Sequence, residues 1–179
     1  MKNRYLTFIF ILFIFVTSCK NAEKRKNEIN KITLLTGMCY GTCPVQTIEV
    51  DSSLTIKYHG MEYAKRKGYF IGKISAECWD SINVKFEKIN YKELDTSYEH
   101  SVDDPPTFLI VDYLNKTKKI RGQSASLPDN VRKTYSWLIN LTEKQKLTKT
   151  NDSINFEKEN IRFMLPPPPP PPPVRRKGK

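Results

Sequence analysis

Val45-Gln46-Thr47-Ile48-Glu49-Val50, then Asp51-Ser52-Ser53, then Leu54-Thr55-Ile56-Lys57-Tyr58 is the passage that decides the fold class. Apolar and polar residues alternate on both sides of a short polar break, the pattern of two half-buried strands joined by a tight turn. Working outward, Ile32-Thr33-Leu34-Leu35 and Gly68 to Ile74 read as strands before and after it. Ser75 offers an N-cap, and Trp79, Ile82, Phe86 and Ile89 recur at spacings of three and four, which places them on one face of a helix.

Tyr91 to Pro106 is a charged loop ending in a double proline, and Thr107–Leu114 with Lys118–Arg121 reads as a hairpin across Asn115-Lys116-Thr117. Pro128 fits the first turn of a second helix, whose buried stripe is Val131, Tyr135, Leu138 and either Leu141 or Thr142. The expected class is α+β: an antiparallel sheet with two helices packed on one face, a single small domain over residues 32–148. Residues 149–165 are polar, with Ile161–Leu165 offering a short edge strand. The prolines Pro166 to Pro173 suit only polyproline II, which at ~3.1 Å per residue extends roughly 25 Å. The tail 166–179 is thus a spacer with a basic tip.

A chain of 179 residues fits this one domain plus extensions. Its net charge of +11 suggests nucleic acid until its distribution is read. Lys20–Lys31 holds five basic and two acidic residues and Val174–Lys179 four basic and none acidic, whereas Ile32–Pro173 holds 19 basic against 17 acidic. The excess lies in tethers and not on a folded face that could neutralise phosphates, so no nucleic-acid partner is expected. Such flanks suit solvated spacers or contacts to anionic headgroups.

The N-terminus carries the strongest functional signal. Lys2 and Arg4 precede an apolar run, Tyr5 to Val16, broken only by Thr7 and too short for a comfortable membrane span. It ends in Val16-Thr17-Ser18-Cys19, which resembles a bacterial lipoprotein signal. The resemblance implies that residues 1–18 are removed and that Cys19 becomes an acylated N-terminus followed by a flexible tether, 19–31. The anchored domain then lies outside the cytoplasm, with the membrane as its first partner. Cys19-Lys20-Asn21-Ala22-Glu23 lacks an acidic pair after the lysine, so the expected position is the outer membrane, facing the periplasm.

Three cysteines remain, in Gly37-Met38-Cys39-Tyr40-Gly41-Thr42-Cys43-Pro44 and at Cys78. On a straight strand the sulfurs of Cys39 and Cys43 would stand about 13 Å apart at ~3.3 Å per residue, beyond disulfide reach. Gly37, Gly41 and Pro44 mark a bend that can bring them together. A structural disulfide, a redox pair or a two-thiolate site for a soft ion such as Cu(I) all fit that spacing. Cys78 reads as a small buried hydrophobe.

Cys39-Tyr40-Gly41-Thr42-Cys43-Pro44, Val102-Asp103-Asp104-Pro105-Pro106-Thr107, Lys118-Lys119-Ile120 and the leucine-bearing last helix together resemble a family of unknown function. It comprises secreted proteins and lipoproteins, many from Bacteroidetes-type bacteria, defined by a C-Y-G-x-C-P motif. The likeness spans about Ile32 to Leu141. It implies a fold and an envelope location and supplies no mechanism.

Catalytic patterns are missing from the sequence. His59 and His100 are the only histidines, there is no G-x-S-x-G, P-loop, dinucleotide fingerprint or H-E-x-x-H, and Glu99, His100, Asp103 and Asp104 lack the ligand spacing of a defined metal site. No cofactor and no enzymatic activity are expected. The leading reading is a membrane-anchored envelope lipoprotein with a non-catalytic binding or structural role, its further partner another envelope protein or the cell wall. The alternatives are a thiol-redox or copper-handling lipoprotein using Cys39 and Cys43, and a periplasmic inhibitor of a hydrolase. Tyr40, Tyr63, Tyr69 and Tyr98 fit a binding patch and equally fit core or sheet-surface positions, so none is taken as a site residue.

Overall fold

The computed structural model describes residues 27–99 and 104–156. In chain order the elements are β1 (Ile29–Thr36), β2 (Gln46–Asp51), β3 (Thr55–Gly60), β4 (Gly68–Lys73), α1 (Ala76–Lys88), β5 (Ser97–Tyr98), β6 (Pro106–Tyr113), β7 (Lys116–Gln123), a 3-10 turn (Ser124–Ser126), α2 (Asp129–Lys144) and β8 (Leu147–Thr150). The strands form one sheet in the order β5-β7-β6-β1-β2-β3-β4-β8. Every pairing is antiparallel except that of β5 with β7. The class is α+β.

The deciding passage forms the β2–β3 hairpin, with Ile48 opposite Tyr58 and Val50 opposite Ile56. Asp51 makes its turn: Oδ1 accepts from the Ser53 N–H at 2.9 Å and the Ser53 hydroxyl at 2.5 Å, the local bonding that draws aspartate to turns. Because side chains alternate across a strand, Ile32, Leu34, Ile48, Val50, Ile56, Leu109, Val111 and Ile120 emerge on one face. They form a single buried cluster with Trp79, Ile82 and Phe86 of α1 and Val131, Tyr135 and Leu138 of α2.

Ser75 caps α1, its hydroxyl accepting the Cys78 N–H at 3.2 Å. Pro128 stands immediately before α2, one residue earlier than its expected first-turn place. Thr142 and not Leu141 completes the buried stripe, because its hydroxyl donates to the Leu138 carbonyl at 2.9 Å and so enters the core satisfied. Arg66, in the β3–β4 loop, closes the far end of α2. Its Nη2 donates to the Glu143 carbonyl at 2.7 Å and the Gln145 carbonyl at 3.2 Å, supplying donors and positive charge to the last carbonyls.

Two local expectations are corrected. The β6–β7 turn is Leu114-Asn115, and Lys116 and Thr117 already belong to β7. Leu114 adopts φ 50°, held by its N–H to the Glu28 carbonyl at 3.0 Å and by its own carbonyl, which accepts from Asn30 Nδ2 at 2.8 Å. Cys78 is half-buried against the core and not fully enclosed. Periodicity also gives no sign of β8, whose one apolar residue is Leu147. It forms because Gly72 of β4 lets it approach, and a Cβ there would lie 2.7 Å from Leu147 Cδ2. The signal peptide, the proline tail, the Ile161–Leu165 segment, His100 and Asp103 lie outside the described residues.

Candidate functional site

The β1–β2 connection bends as its glycines and proline predict. Cys39 and Cys43 are joined by a disulfide, with Cα atoms 5.7 Å apart in place of the extended-chain separation. The loop is tied down at both ends. Thr36 Oγ1 donates to the Pro44 carbonyl at 2.7 Å, and the Gly37 N–H donates to the Pro105-Pro106 connection, at the Pro106 carbonyl, at 2.8 Å. On the exit side, the Val45 N–H donates to the Glu62 carbonyl and the Met61 N–H to the Val45 carbonyl, both at 2.9 Å. These bonds set the β3–β4 loop beside the disulfide loop.

The tip so braced is aromatic and open. Tyr40, inside the disulfide ring, is 92% exposed, with Met38 at 39% before it and Tyr63 at 53% on the neighbouring loop. Fixing an exposed tyrosine on a short closed loop lowers the entropy lost when it is immobilised by a partner. The four tyrosines do not lie together. Tyr69 is half-buried on β4, and Tyr98 is half-buried on β5, with five strands between them.

Reduction of the bond is expected to loosen this tip and cost stability. A bridge closing so short a loop is worth about 2 kcal/mol by chain entropy. Cys39→Ser should lower the unfolding free energy by about that amount, with an unchanged denaturant slope in chemical unfolding.

The face of the sheet opposite the helix-bearing cluster carries the second candidate surface. Pairing aligns Arg121, Phe108, Leu35, Thr47, His59, Tyr69 and Thr150 in one cross-strand row. Lys119, Ile110, Thr33, Glu49, Lys57, Ile71 and Thr148 form the next. Lys57 Nζ lies 2.7 Å from Glu49 Oε1, whose side chain is buried, and Lys31 Nζ lies 3.1 Å from Asp112 Oδ2. Leu35 and Val45 make a small apolar cluster with Met61 and Phe108.

His59 stacks on Tyr69 with ring centroids 3.9 Å apart, and the Phe156 ring lies 6.4 Å from it in a nearly parallel plane. This setting packs the ring between two aromatic neighbours. Burial holds its pKa below the ordinary histidine value. The unfolded chain therefore binds this proton at a higher pH than the folded one, so the neutral-ring contribution is complete above about pH 6.5 and is lost as pH falls below it. Chemical unfolding between pH 7 and 5 is expected to show a stability decline that His59→Gln makes shallower.

The acidic loop does not assemble a metal site from its described members. Glu99 pairs with Arg121, which holds its carboxyl below the usual range, and Asp104 Oδ2 accepts the Ala125 N–H at 3.1 Å. Among the described residues no three of His, Cys, Asp and Glu come together as metal ligands. The indentation lined by Tyr58, Lys65, Arg66, Thr142, Glu143 and Leu147 has room for about one water and serves the α2 cap. Burial raises the pKa of Tyr91 and of Tyr135, both in the main core.

Sequence comparison matches residues 30–142 to the family described as Domain of unknown function (DUF6438). No curated protein matches the chain.

Proposed function

The chain belongs to the DUF6438 family, and from that premise we propose that it is a lipid-anchored lipoprotein of the cell envelope whose domain has a non-catalytic binding role. In this reading Cys19 carries the acyl chains and the stretch between it and β1, which begins at Ile29 and not at Ile32, holds the domain off the outer membrane, on its periplasmic side. The two helices cover one face of the sheet, and the disulfide-braced loop is presented to a protein or cell-wall partner. Tyr40 carries the binding half of the reading: a tyrosine 92% exposed on a closed loop, beside exposed Met38 and Tyr63, is a preorganised aromatic anchor. The Cys39–Cys43 bond supports the location, since such bonds persist in oxidising compartments.

Both halves can be tested together. Cys19→Ala should move the protein from the membrane fraction to the soluble periplasm, because each buried acyl CH₂ contributes about 0.8 kcal/mol to anchoring. Tyr40→Ala should leave the protein membrane-bound and folded while reducing, by about tenfold or more, the yield of envelope material captured by a photo-crosslinker at Met38. A Cys19→Ala chain still in the membrane fraction counts against the anchor. An unchanged capture yield in Tyr40→Ala counts against the loop.

A further inference from the structure

β1 gives the domain two poles. It begins at Ile29, beside the β2–β3 and β6–β7 turns, and ends at Thr36, beside the disulfide loop. The seven steps between them span about 24 Å at ~3.4 Å per residue. Backbone bonds fix both turns to the start of the strand: the Ser52 N–H donates to the Asn30 carbonyl at 2.8 Å and the Leu114 N–H to the Glu28 carbonyl at 3.0 Å. Just before the strand, Asn27 Nδ2 donates to Asp80 Oδ1 of α1 at 2.7 Å. Cys19 is eight peptide steps earlier, which at ~3.6 Å each reach at most about 29 Å. A lipid on Cys19 therefore keeps this first pole within that distance of the headgroups, while the disulfide loop can stand a strand length beyond it.

The surface of the first pole suits that neighbour. Leu114 is 55% exposed at φ 50°, a conformation that glycine or asparagine adopts with less strain. A side chain so exposed gains little burial to offset the strain, and a strained apolar residue turned outward points to a contact outside the fold. Exposed Lys116 follows two residues later, and exposed Lys73 reaches the β2–β3 turn, donating from Nζ to the Ser53 carbonyl at 3.2 Å. Nearby carboxylates are engaged within the domain: Asp51 accepts from Ser53, Asp112 pairs with Lys31, and Glu28 pairs with Lys92. An apolar tip flanked by lysines complements an anionic headgroup layer lying over acyl chains.

We infer that this pole rests on the surface of the anchoring membrane, with Leu114 entering the headgroup layer and Lys73 and Lys116 against it, so that the disulfide loop faces away from the bilayer. The inference rests on the lipid anchor of the proposed function. One leucine and two lysines would not hold a free protein to a bilayer, but the anchor makes the contact intramolecular, and a weak contact then suffices. The docked pole aims Tyr40 at a partner across the periplasm from the outer membrane and not at one embedded in it.

A photo-reactive residue in place of Asn115, in the full chain within its own membrane, tests the docking. The expected product is a phospholipid adduct, read by intact mass, at a yield about tenfold or more above that of the same probe at Met38. Leu114→Asn, which suits the positive φ, should lower the adduct at residue 115 by about threefold or more. It should leave the chain membrane-bound and its thermal unfolding no less cooperative. With the chain acylated and membrane-bound, an absent phospholipid adduct, an equal yield from Met38, a protein adduct in its place, or a yield that Leu114→Asn leaves unchanged overturns the docking and leaves the anchor standing. An unacylated, soluble chain overturns both.

Discussion

Phe86→Ala is expected to destabilise the domain by about 3–5 kcal/mol, a large part of the ~5–15 kcal/mol that holds a domain of this size folded. Phe86 is fully buried in the middle of the cluster joining α1 to the sheet, with Ile82 one turn before it. Truncation removes the transfer free energy of a whole ring and leaves a cavity that a packed sheet on one side cannot close. Urea unfolding followed by tyrosine and tryptophan fluorescence measures it, through a lowered midpoint at constant slope. Val84→Ala, on the exposed side of the same helix, should change stability by no more than about 0.5 kcal/mol.

Gly60→Ala is expected to be the most damaging single-methyl change, at about 3 kcal/mol or more. A Cβ at residue 60 would lie 1.8 Å from the Arg66 carbonyl oxygen and 2.8 Å from the Tyr58 hydroxyl, distances no rotamer can relieve because the nearest atom is backbone. The β3–β4 loop would have to move as a unit. That motion withdraws Arg66 from the Glu143 and Gln145 carbonyls and slackens the Val45–Glu62 bond at the disulfide loop. Thermal unfolding gives the size of the effect, and faster amide exchange in the last turn of α2 identifies its route. Gly41→Ala makes the contrast: the nearest atom there is Cys39 Sγ at 3.8 Å, so little change is expected.

Elements that bury one face through their own periodicity were legible in the sequence. The alternation of 45–58 and the Trp79, Ile82, Phe86 spacing each state a repeat, a direction of burial and an end signal at Asp51 or Ser75. β8 was not legible, since its position depends on Gly72 and not on its own residues. The turn at Leu114 hides for a related reason: Asn30 and Glu28, more than eighty residues earlier, hold a positive-φ leucine that no local rule would place there.

The candidate site was legible in its residues but not in its arrangement. The sequence marked a bend between Cys39 and Cys43 but left open whether the sulfurs meet, which depends on how Gly37 and Val45 are held by Pro106 and Glu62. Nor did it show that the loop carrying Tyr63 is bonded to Val45, at the exit of the disulfide loop, while Tyr98 lies on a distant strand. Dryness of the second face could not be read either. Thr33, Thr47 and Glu49 look like solvent-facing positions of half-buried strands, yet all three are buried.

The most direct measurement on the account as a whole is the intact mass of the chain extracted from membranes, with thiol alkylation before and after reduction. The account predicts a mature chain beginning at acylated Cys19. At most one thiol, Cys78, should react before reduction, and Cys39 and Cys43 should add two more after it. An unacylated chain, or one in which Cys39 and Cys43 react without reductant, would contradict it.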